Sequence, residues 1–148
     1  MINFSENSSS SRQGTFMTHP SIQSKAFASY LSETLMAPVV LQNINKPLAQ
    51  RLAKDSVILF DIAVSNKKLN GVWRDIIRLQ ADNPRLLIIN SAQKYELYEM
   101  AQWPALYGVF RHDDDESRLI EGVKAVLNGE QTAELSVMHP AMYAADHA

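Results

Sequence analysis

Three side chains that could take part in phosphate or metal chemistry stand at or just beyond the ends of short apolar runs. Asp61 is the one acid in the run VILFDIA, Ser91 follows the run RLLIIN, and His112 lies just past the run LYGVF. A buried parallel strand tolerates a carboxylate mainly where the strand opens onto a ligand crevice. Asp61 is therefore a candidate to receive a phosphoryl group, to bind a metal ion, or to be the remnant of such a site.

Five apolar runs that predict strands alternate with helical patterns along the chain. The predicted strands are GTFMT, VVLQNI, VILFDIA, RLLIIN and LYGVF. The predicted helices cover residues 22–36, 47–54, 67–83 and 118–129, and residues 92–103 form a helix or irregular turns. Ser21 is expected to cap the first helix, Pro47 to begin the second, and Gly129 to end the last.

Five strand–helix pairs in this order predict an α/β fold with a parallel sheet covered on both faces, because right-handed crossovers leave few other arrangements. This is the doubly wound, flavodoxin-like (βα)5 plan. Its ligand site lies at the carboxyl ends of the strands. Asp61, Ser91 and His112 are all expected at that end of the sheet.

Length and composition limit the function classes. The 148 residues predict one domain, preceded by a polar, Ser-rich tail over residues 1–14 that we expect to be disordered. The 16 acidic residues nearly balance the 14 basic ones, so net charge does not predict a nucleic-acid footprint. The absence of cysteine excludes disulfides, thiolate catalysis and cysteine metal sites. The apolar runs are too short to cross a bilayer and the N-terminus lacks a secretory signal, which favours a cytoplasmic protein without membrane contact.

The pattern of an Asp after the third strand and Ser-Ala after the fourth resembles the receiver domain of response regulators. The segment THPSIQ resembles the Asp-Asp-His-Pro segment of receivers that are attached to LuxR-type DNA-binding domains. A closer similarity is to the CsgD/VpsT-type biofilm regulators of the LuxR family. It rests on SVILFDIAVSNKKLNGVW and QWPALYGVFRHDDDESRLIEGVKAVLNGE. This resemblance implies a receiver-like domain over residues 15–130.

The resemblance also implies that the phosphorylation pocket has lost its charges. In working receivers two acids after the first strand join the acceptor Asp to hold Mg²⁺, but here Met17 and Thr18 stand at the acid positions. The usual lysine after the fifth strand is replaced by His112, which is mostly neutral at pH 7. Only Asp61 and Ser91 remain. We therefore expect no Mg²⁺ cofactor and no efficient phosphorylation of Asp61, which would instead be a carboxylate hydrogen-bonded to loop amides.

Cyclic di-GMP is also not expected at the site that the family uses. VpsT-like receivers bind it through a short motif beyond the last receiver helix, in which an aromatic residue is followed by an apolar residue, Thr or Ser, and Arg. Residues 131–137, QTAELSV, contain neither an aromatic residue nor an arginine. A binding site elsewhere on the surface remains open.

No pattern favours an enzyme or a metal protein. The four histidines lack metal-ligand spacing, and the acids of HDDD, residues 112–115, are better explained as caps and favourable charges at the start of a helix. Glycine-rich phosphate loops, nucleophile elbows and paired catalytic carboxylates are absent from the sequence.

Aromatic residues raise the question of self-association. Tyr95, Tyr98 and Tyr107 fall on the fourth helix and fifth strand of the receiver plan, a face that receivers commonly use to pair with a second copy. Core packing is the competing interpretation, and both stay open. We expect a homodimer.

The resemblance leads to one main hypothesis and two alternatives. The resemblance implies a C-terminal helix-turn-helix domain that reads DNA, and residues 131–148 would be a tail or the start of a linker to such a domain. No helix-turn-helix segment is expected within these residues, and two interpretations stay open: the N-terminal part of a longer regulator, or a stand-alone receiver-like protein that forms mixed dimers with a partner. The main hypothesis is a non-enzymatic regulatory and dimerisation receiver domain that controls biofilm matrix genes. The alternatives are a receiver that is phosphorylated at Asp61 and a flavodoxin-like protein that binds a small ligand such as a nucleotide.

Overall fold

A single parallel sheet forms the centre of the molecule. The computed structural model describes residues 13–92 and 96–128. The strands are β1 (Gly14–Thr18), β2 (Val39–Asn43), β3 (Val57–Asp61), β4 (Arg85–Ser91) and β5 (Leu106–Arg111). They are ordered β2-β1-β3-β4-β5, and every neighbouring pair is parallel. The predicted flavodoxin-like plan is confirmed, and its topological switch point lies between β1 and β3.

Local capping signals set where the two long early helices begin. The helices are α1 (Ile22–Leu35), α2 (Lys67–Gln80), α3 (Leu97–Ala101) and α4 (Glu116–Leu127), with a 3₁₀ turn at Ile62–Val64. The Ser21 hydroxyl accepts a 3.0 Å hydrogen bond from the backbone N–H of Ser24, which confirms the predicted cap of α1. Asn66 caps α2 in the same way, through a 2.9 Å bond from the N–H of Leu69.

The short helix predicted for residues 47–54 is wrong, since the chain between β2 and β3 has no helix there. The buried side chain of Gln42 organises this connection instead. Its amide Nε2 donates to the carbonyl of Pro47 at 3.0 Å, and its Oε1 accepts from the N–H of Ala49 at 2.9 Å. Leu52 enters the core. An isolated helix of about eight residues is marginal in water, so a tertiary partner for the backbone and one buried leucine decide the conformation.

The sheet separates two hydrophobic clusters. One lies beneath α1 and α4 and includes Leu59 and Phe110. The other lies beneath α2 and α3 and includes Phe60 and Trp73. Alternate residues of a strand point to opposite faces, so the apolar residues 57–60 of β3 contribute to both clusters. The indole N–H of Trp73 also donates a 2.9 Å hydrogen bond to the carbonyl of Ile44. This bond connects α2 to the end of β2.

The acids before α4 act differently from the prediction. Asp115 is the N-cap residue, but its side chain makes no capping hydrogen bond. The Asp114 carboxylate instead accepts a 2.7 Å bond from the N–H of Arg111, and it also lies 3.7 Å from the guanidinium of Arg118. Asp113 pairs with the Arg111 side chain at 3.2 Å. These carboxylates tie the β5–α4 turn together. Gly129, predicted to end the helix, lies outside the described residues.

Within residues 13–92 and 96–128, no helix is long and apolar enough to cross a membrane. The tail assigned to residues 1–14 is described only from residue 13, and β1 already begins at Gly14. Residues 131–148, including the window that bears on cyclic di-GMP, lie outside the described part of the chain.

Candidate functional site

The candidate site is built around the last residues of β1 and β3, which lie side by side. The two strands are parallel, with Met17 opposite Phe60, so the next residues, Thr18 and Asp61, are neighbours at the carboxyl end of the sheet. Both are buried, at 2% and 6% exposure. The Thr18 hydroxyl Oγ1 donates a 2.7 Å hydrogen bond to Oδ2 of Asp61. This length is typical of a hydroxyl that donates to a carboxylate.

The second carboxylate oxygen of Asp61 has two further donors. Oδ1 accepts a 3.2 Å bond from the backbone N–H of Ala63, in the 3₁₀ turn that follows β3. It also accepts a 3.1 Å bond from the side-chain amide of Asn90. A buried carboxylate is tolerated when its oxygens are hydrogen-bonded. Three neutral donors meet this requirement here, and none of them is a cation.

Asn90, which lies in β4 immediately before Ser91, is a site residue that the sequence pattern did not indicate. Asn90 adopts a left-handed conformation with φ of 61°, next to a break in the register between β4 and β5. Asn tolerates this region better than most residues. The sequence signal that could have indicated it is an Asn at the end of an apolar strand, directly before Ser91.

The other predicted pocket residues lie near the same end of the sheet with different surroundings. Ser91 is 3% exposed, and its carbonyl accepts a 3.0 Å bond from the backbone N–H of His112. The side chain of His112 is exposed. Met17 is completely buried in the hydrophobic cluster beneath α2, on the opposite face of the sheet from the cluster to which Phe16 belongs. Only Thr18, of the two residues at the acid positions, therefore contacts Asp61.

The chemistry of this pocket is that of one carboxylate among neutral groups. A magnesium site in proteins uses carboxylates and other oxygen ligands around the ion. Among residues 13–92 and 96–128, no three His, Cys, Asp or Glu side chains are grouped so that they could hold a metal ion. The hydrogen bonds that Thr18, Asn90 and Ala63 make to Asp61 come from a hydroxyl, an amide and a backbone N–H.

Of the three tyrosines proposed for an interface, the structure describes Tyr98 and Tyr107, which lie on elements that face opposite sides of the sheet. Tyr95 lies outside the described residues. Tyr98, on α3, is 78% exposed. Tyr107, on β5, is partly buried against the cluster beneath α1 and α4, whereas α3 covers the other face of the sheet. Tyr98 is therefore available to a partner, while Tyr107 contributes to the packing of the domain.

A five-stranded doubly wound sheet with an acid at the end of β3 defines a receiver-like domain. Residues 18–133 match the family model of the VpsT-like receiver domain, and this match covers most of the chain. The chain therefore belongs to the VpsT-like receiver domain family, and the resemblance noted from the sequence is confirmed.

Individual relatives agree with this assignment. Over 114 residues the chain is 31% identical to the CsgBAC operon transcriptional regulatory protein of Escherichia coli strain K12. It is 29% identical, also over 114 residues, to the probable csgAB operon transcriptional regulatory protein of Salmonella typhimurium. Each alignment covers 77% of this chain and 52% of the relative, so the chain spans about half the length of the curated relatives it matches.

A solved structure is similar over nearly its whole length. The crystal structure of the regulatory domain of CsgD, described as a master biofilm regulator, matches with a TM-score of 0.78 and 25% sequence identity. The match covers 89% of this chain and 98% of that structure. The described domain is thus homologous to the CsgD regulatory domain.

Proposed function

We propose that this chain is the regulatory domain of a CsgD-like transcription regulator, that the regulator controls biofilm matrix genes, and that Asp61 is not its phosphorylation switch. The first two parts are supported by the relatives, which are two operon regulatory proteins and a biofilm regulator. A separate domain would read DNA, as in other regulators that join a receiver to a helix-turn-helix domain. The receiver-like domain would act as a non-enzymatic module.

The single observation that carries the third part is the hydrogen bond from Thr18 to Asp61. Phosphorylation would place about two negative charges on Oδ1 or Oδ2 of Asp61, and a metal ion normally neutralises them. The hydroxyl of Thr18 stands where a receiver would offer an acid to that ion, and it already bonds to Oδ2. Neither the amide of Asn90 nor the N–H of Ala63 carries a positive charge. The phosphorylated state would therefore be poorly stabilised.

Self-association is the output that we propose in place of phosphorylation. A regulator that dimerises sets the spacing between two DNA-binding domains, and dimers bind two half-sites at a fixed separation. Tyr98 supports this proposal, since a large aromatic side chain with 78% exposure is the kind of residue that interfaces bury. A cofactor is not part of this proposal.

The test is incubation of the protein with acetyl phosphate and MgCl₂, followed by intact mass spectrometry. We expect no stoichiometric gain of a phosphoryl group. Asp61→Asn is the matched control, because its side-chain oxygen can still accept the bond from Thr18 while it cannot be phosphorylated. A full phosphoryl adduct on the wild type that is absent from Asp61→Asn would establish the alternative, a phosphorylatable receiver, and refute the third part of the proposal.

A second measurement tests the regulatory role. A matrix-operon transcriptional reporter would be followed in cells whose genomic copy of the regulator carries Asp61→Asn. We expect transcription close to that of the wild type. A reporter that loses its activity in Asp61→Asn cells, although the variant protein accumulates normally, would contradict a regulator that works without Asp61 chemistry.

A further inference from the structure

A groove lies between α2 and α3 on this domain. It has a volume of about 470 Å³, and its two walls carry opposite charge. Lys67 and Arg74 belong to α2, seven residues apart, so they lie on the same side of that helix. Glu96, the N-cap residue of α3, and Glu99 form the other wall with Tyr98.

Among the described residues, the cations of one wall form no ion pair with the acids of the other. Among the described residues the ion pairs are Arg78–Asp75, Arg111–Asp113 and Arg118–Asp114, and none of them crosses the groove. The guanidinium of Arg74 stacks over the ring of Trp103, 5.3 Å from its centroid, and this contact fixes the position of the cation on its wall. The groove therefore presents a cationic wall and an anionic wall that both remain available to a partner.

An exposed aromatic residue lies on the anionic wall. Tyr98 is 78% exposed, while its neighbours on α3, Leu97 and Met100, are packed into the cluster beneath the helix. This inward packing fixes the short helix and directs the remaining tyrosine toward solvent. Aromatic side chains are enriched at the centres of protein interfaces, where they contribute much of the binding energy.

We propose that the occupant of this groove is a second copy of the chain. A two-fold axis that runs along the groove sets α2 of each copy against α3 of the other. In a two-fold interface the same surface is used twice, so it must be complementary to itself. A groove with one cationic and one anionic wall meets this condition, because Lys67 and Arg74 then face the partner's Glu96 and Glu99. Each Tyr98, on the anionic wall, would then pack against α2 of the partner.

This inference rests on the proposed dimerisation and assigns it to a defined face. The assignment differs from an interface that includes Tyr107, since that side chain is partly buried in the packing of its own domain. It also predicts an electrostatic character: complementary walls raise the association rate and make the dimer weaken as salt increases.

A charge-swap experiment tests the proposal by sedimentation velocity over a range of protein concentrations. Lys67→Glu leaves the α2 wall without a net charge, because Arg74 remains, and Glu99→Lys does the same to the α3 wall, because Glu96 remains. Each variant also places two like charges, at positions 67 and 99, against each other across the interface, so it should weaken the dimer by about tenfold or more in Kd. The double variant Lys67→Glu with Glu99→Lys restores opposite charges across the interface and should return Kd to within about threefold of the wild type. Far-UV circular dichroism confirms that each variant is folded.

Lys124→Glu and Glu121→Lys, on the exposed side of α4, are the matched controls and should leave Kd unchanged. Tyr98→Ser should also weaken the dimer, whereas Tyr30→Ser, on α1, should not. Two results would refute the groove as the interface and leave the proposed function standing. In the first, neither single charge reversal changes the Kd of the dimer. In the second, the Kd of the double variant is no lower than that of the single variant with the higher Kd. A wild type that stays monomeric at every concentration refutes both this inference and the proposed dimerisation.

Discussion

The hydroxyl of Thr18 donates a 2.7 Å hydrogen bond to the carboxylate of Asp61, across two neighbouring parallel strands. Both groups are buried, so neither can exchange this bond for a bond to bulk water without local opening. The same strand ends that would bring two acids together in a phosphorylated receiver here bring together a neutral donor and its acceptor. The pocket thereby becomes part of the fold's polar core.

Thr18→Val removes the donor while it keeps the shape of the side chain. The free energy of unfolding should fall by about 2 kcal/mol, because a hydrogen bond to a buried charged group is lost and Oδ2 of Asp61 is left without that partner. Urea denaturation followed by fluorescence measures the change. Thr34→Val, on α1 and outside the pocket, is the control and should change stability by less than about 0.5 kcal/mol. Equal effects of the two variants would contradict a special role for the Thr18–Asp61 bond.

Asn90 combines two contributions that substitution can separate. Asn90→Gly keeps a residue that adopts positive φ easily but loses the amide that donates to Asp61. Asn90→Ala loses the amide and also places a Cβ in the left-handed region. We expect Asn90→Ala to be less stable than Asn90→Gly by about 1 kcal/mol, measured by urea denaturation. Indistinguishable stabilities would show that the backbone at residue 90 changes conformation in the variants.

Thr18→Asp should create a divalent-metal response that the wild type lacks. Two neighbouring carboxylates would repel each other in the buried pocket, so the variant should be less stable than the wild type without metal. If Mg²⁺ binds with a dissociation constant of about 1 mM, 10 mM MgCl₂ should restore about 1.4 kcal/mol.

Thermal unfolding with and without MgCl₂ measures this response. The double variant Thr18→Asp with Asp61→Asn is the control, since it has one of the two acids and should respond weakly. A rise in Tm of the same size in the wild type, the variant and the control would indicate nonspecific binding and contradict the prediction.

Two helical glycines should respond to alanine in opposite directions. A Cβ at Gly122, in α4, would lie 2.6 Å from Cζ of the buried Phe110 ring. Overpacking should outweigh the gain in helix propensity, so Gly122→Ala should lower stability by about 1–2 kcal/mol. A Cβ at Gly71, in α2, has Arg74 Nη2 as its nearest neighbour at 3.8 Å. Gly71→Ala should therefore raise stability by about 0.5–1 kcal/mol. A stabilising Gly122→Ala would mean that α4 shifts away from β5 at little cost.

The strands and the long helices were predictable because their signals are local. Each central strand is a short apolar run of the kind that a doubly covered parallel sheet requires. Ser21 marks the start of α1 through a cap that depends only on residues up to Ser24. The connection at residues 47–54 was not predictable in this way, because its conformation depends on the side chain of Gln42, in a neighbouring strand.

The candidate site was predictable in its position and only partly in its contacts. The order of strands places Asp61 and Ser91 at the carboxyl edge, and the resemblance placed Met17 and Thr18 near them. Because alternate residues of a strand point to opposite faces, Met17 and Thr18 have different surroundings. Met17 lies in the hydrophobic cluster beneath α2, and Thr18 donates a hydrogen bond to Asp61. Asn90 belongs to the site because its left-handed backbone conformation directs its side-chain amide toward Asp61. The order of residue types along the sequence does not show that conformation.

The sequence by itself determined the parallel α/β architecture and the family resemblance, and that resemblance implies that Met17 and Thr18 replace two acids and that His112 replaces a lysine. These properties depend on residue types and on their spacing, and both can be seen in the sequence. Only the tertiary structure decided which donors contact the carboxylate of Asp61 and which charges line the α2–α3 groove. Those facts depend on distances between residues far apart in the chain, and such distances are set by the joint packing of the sheet and helices.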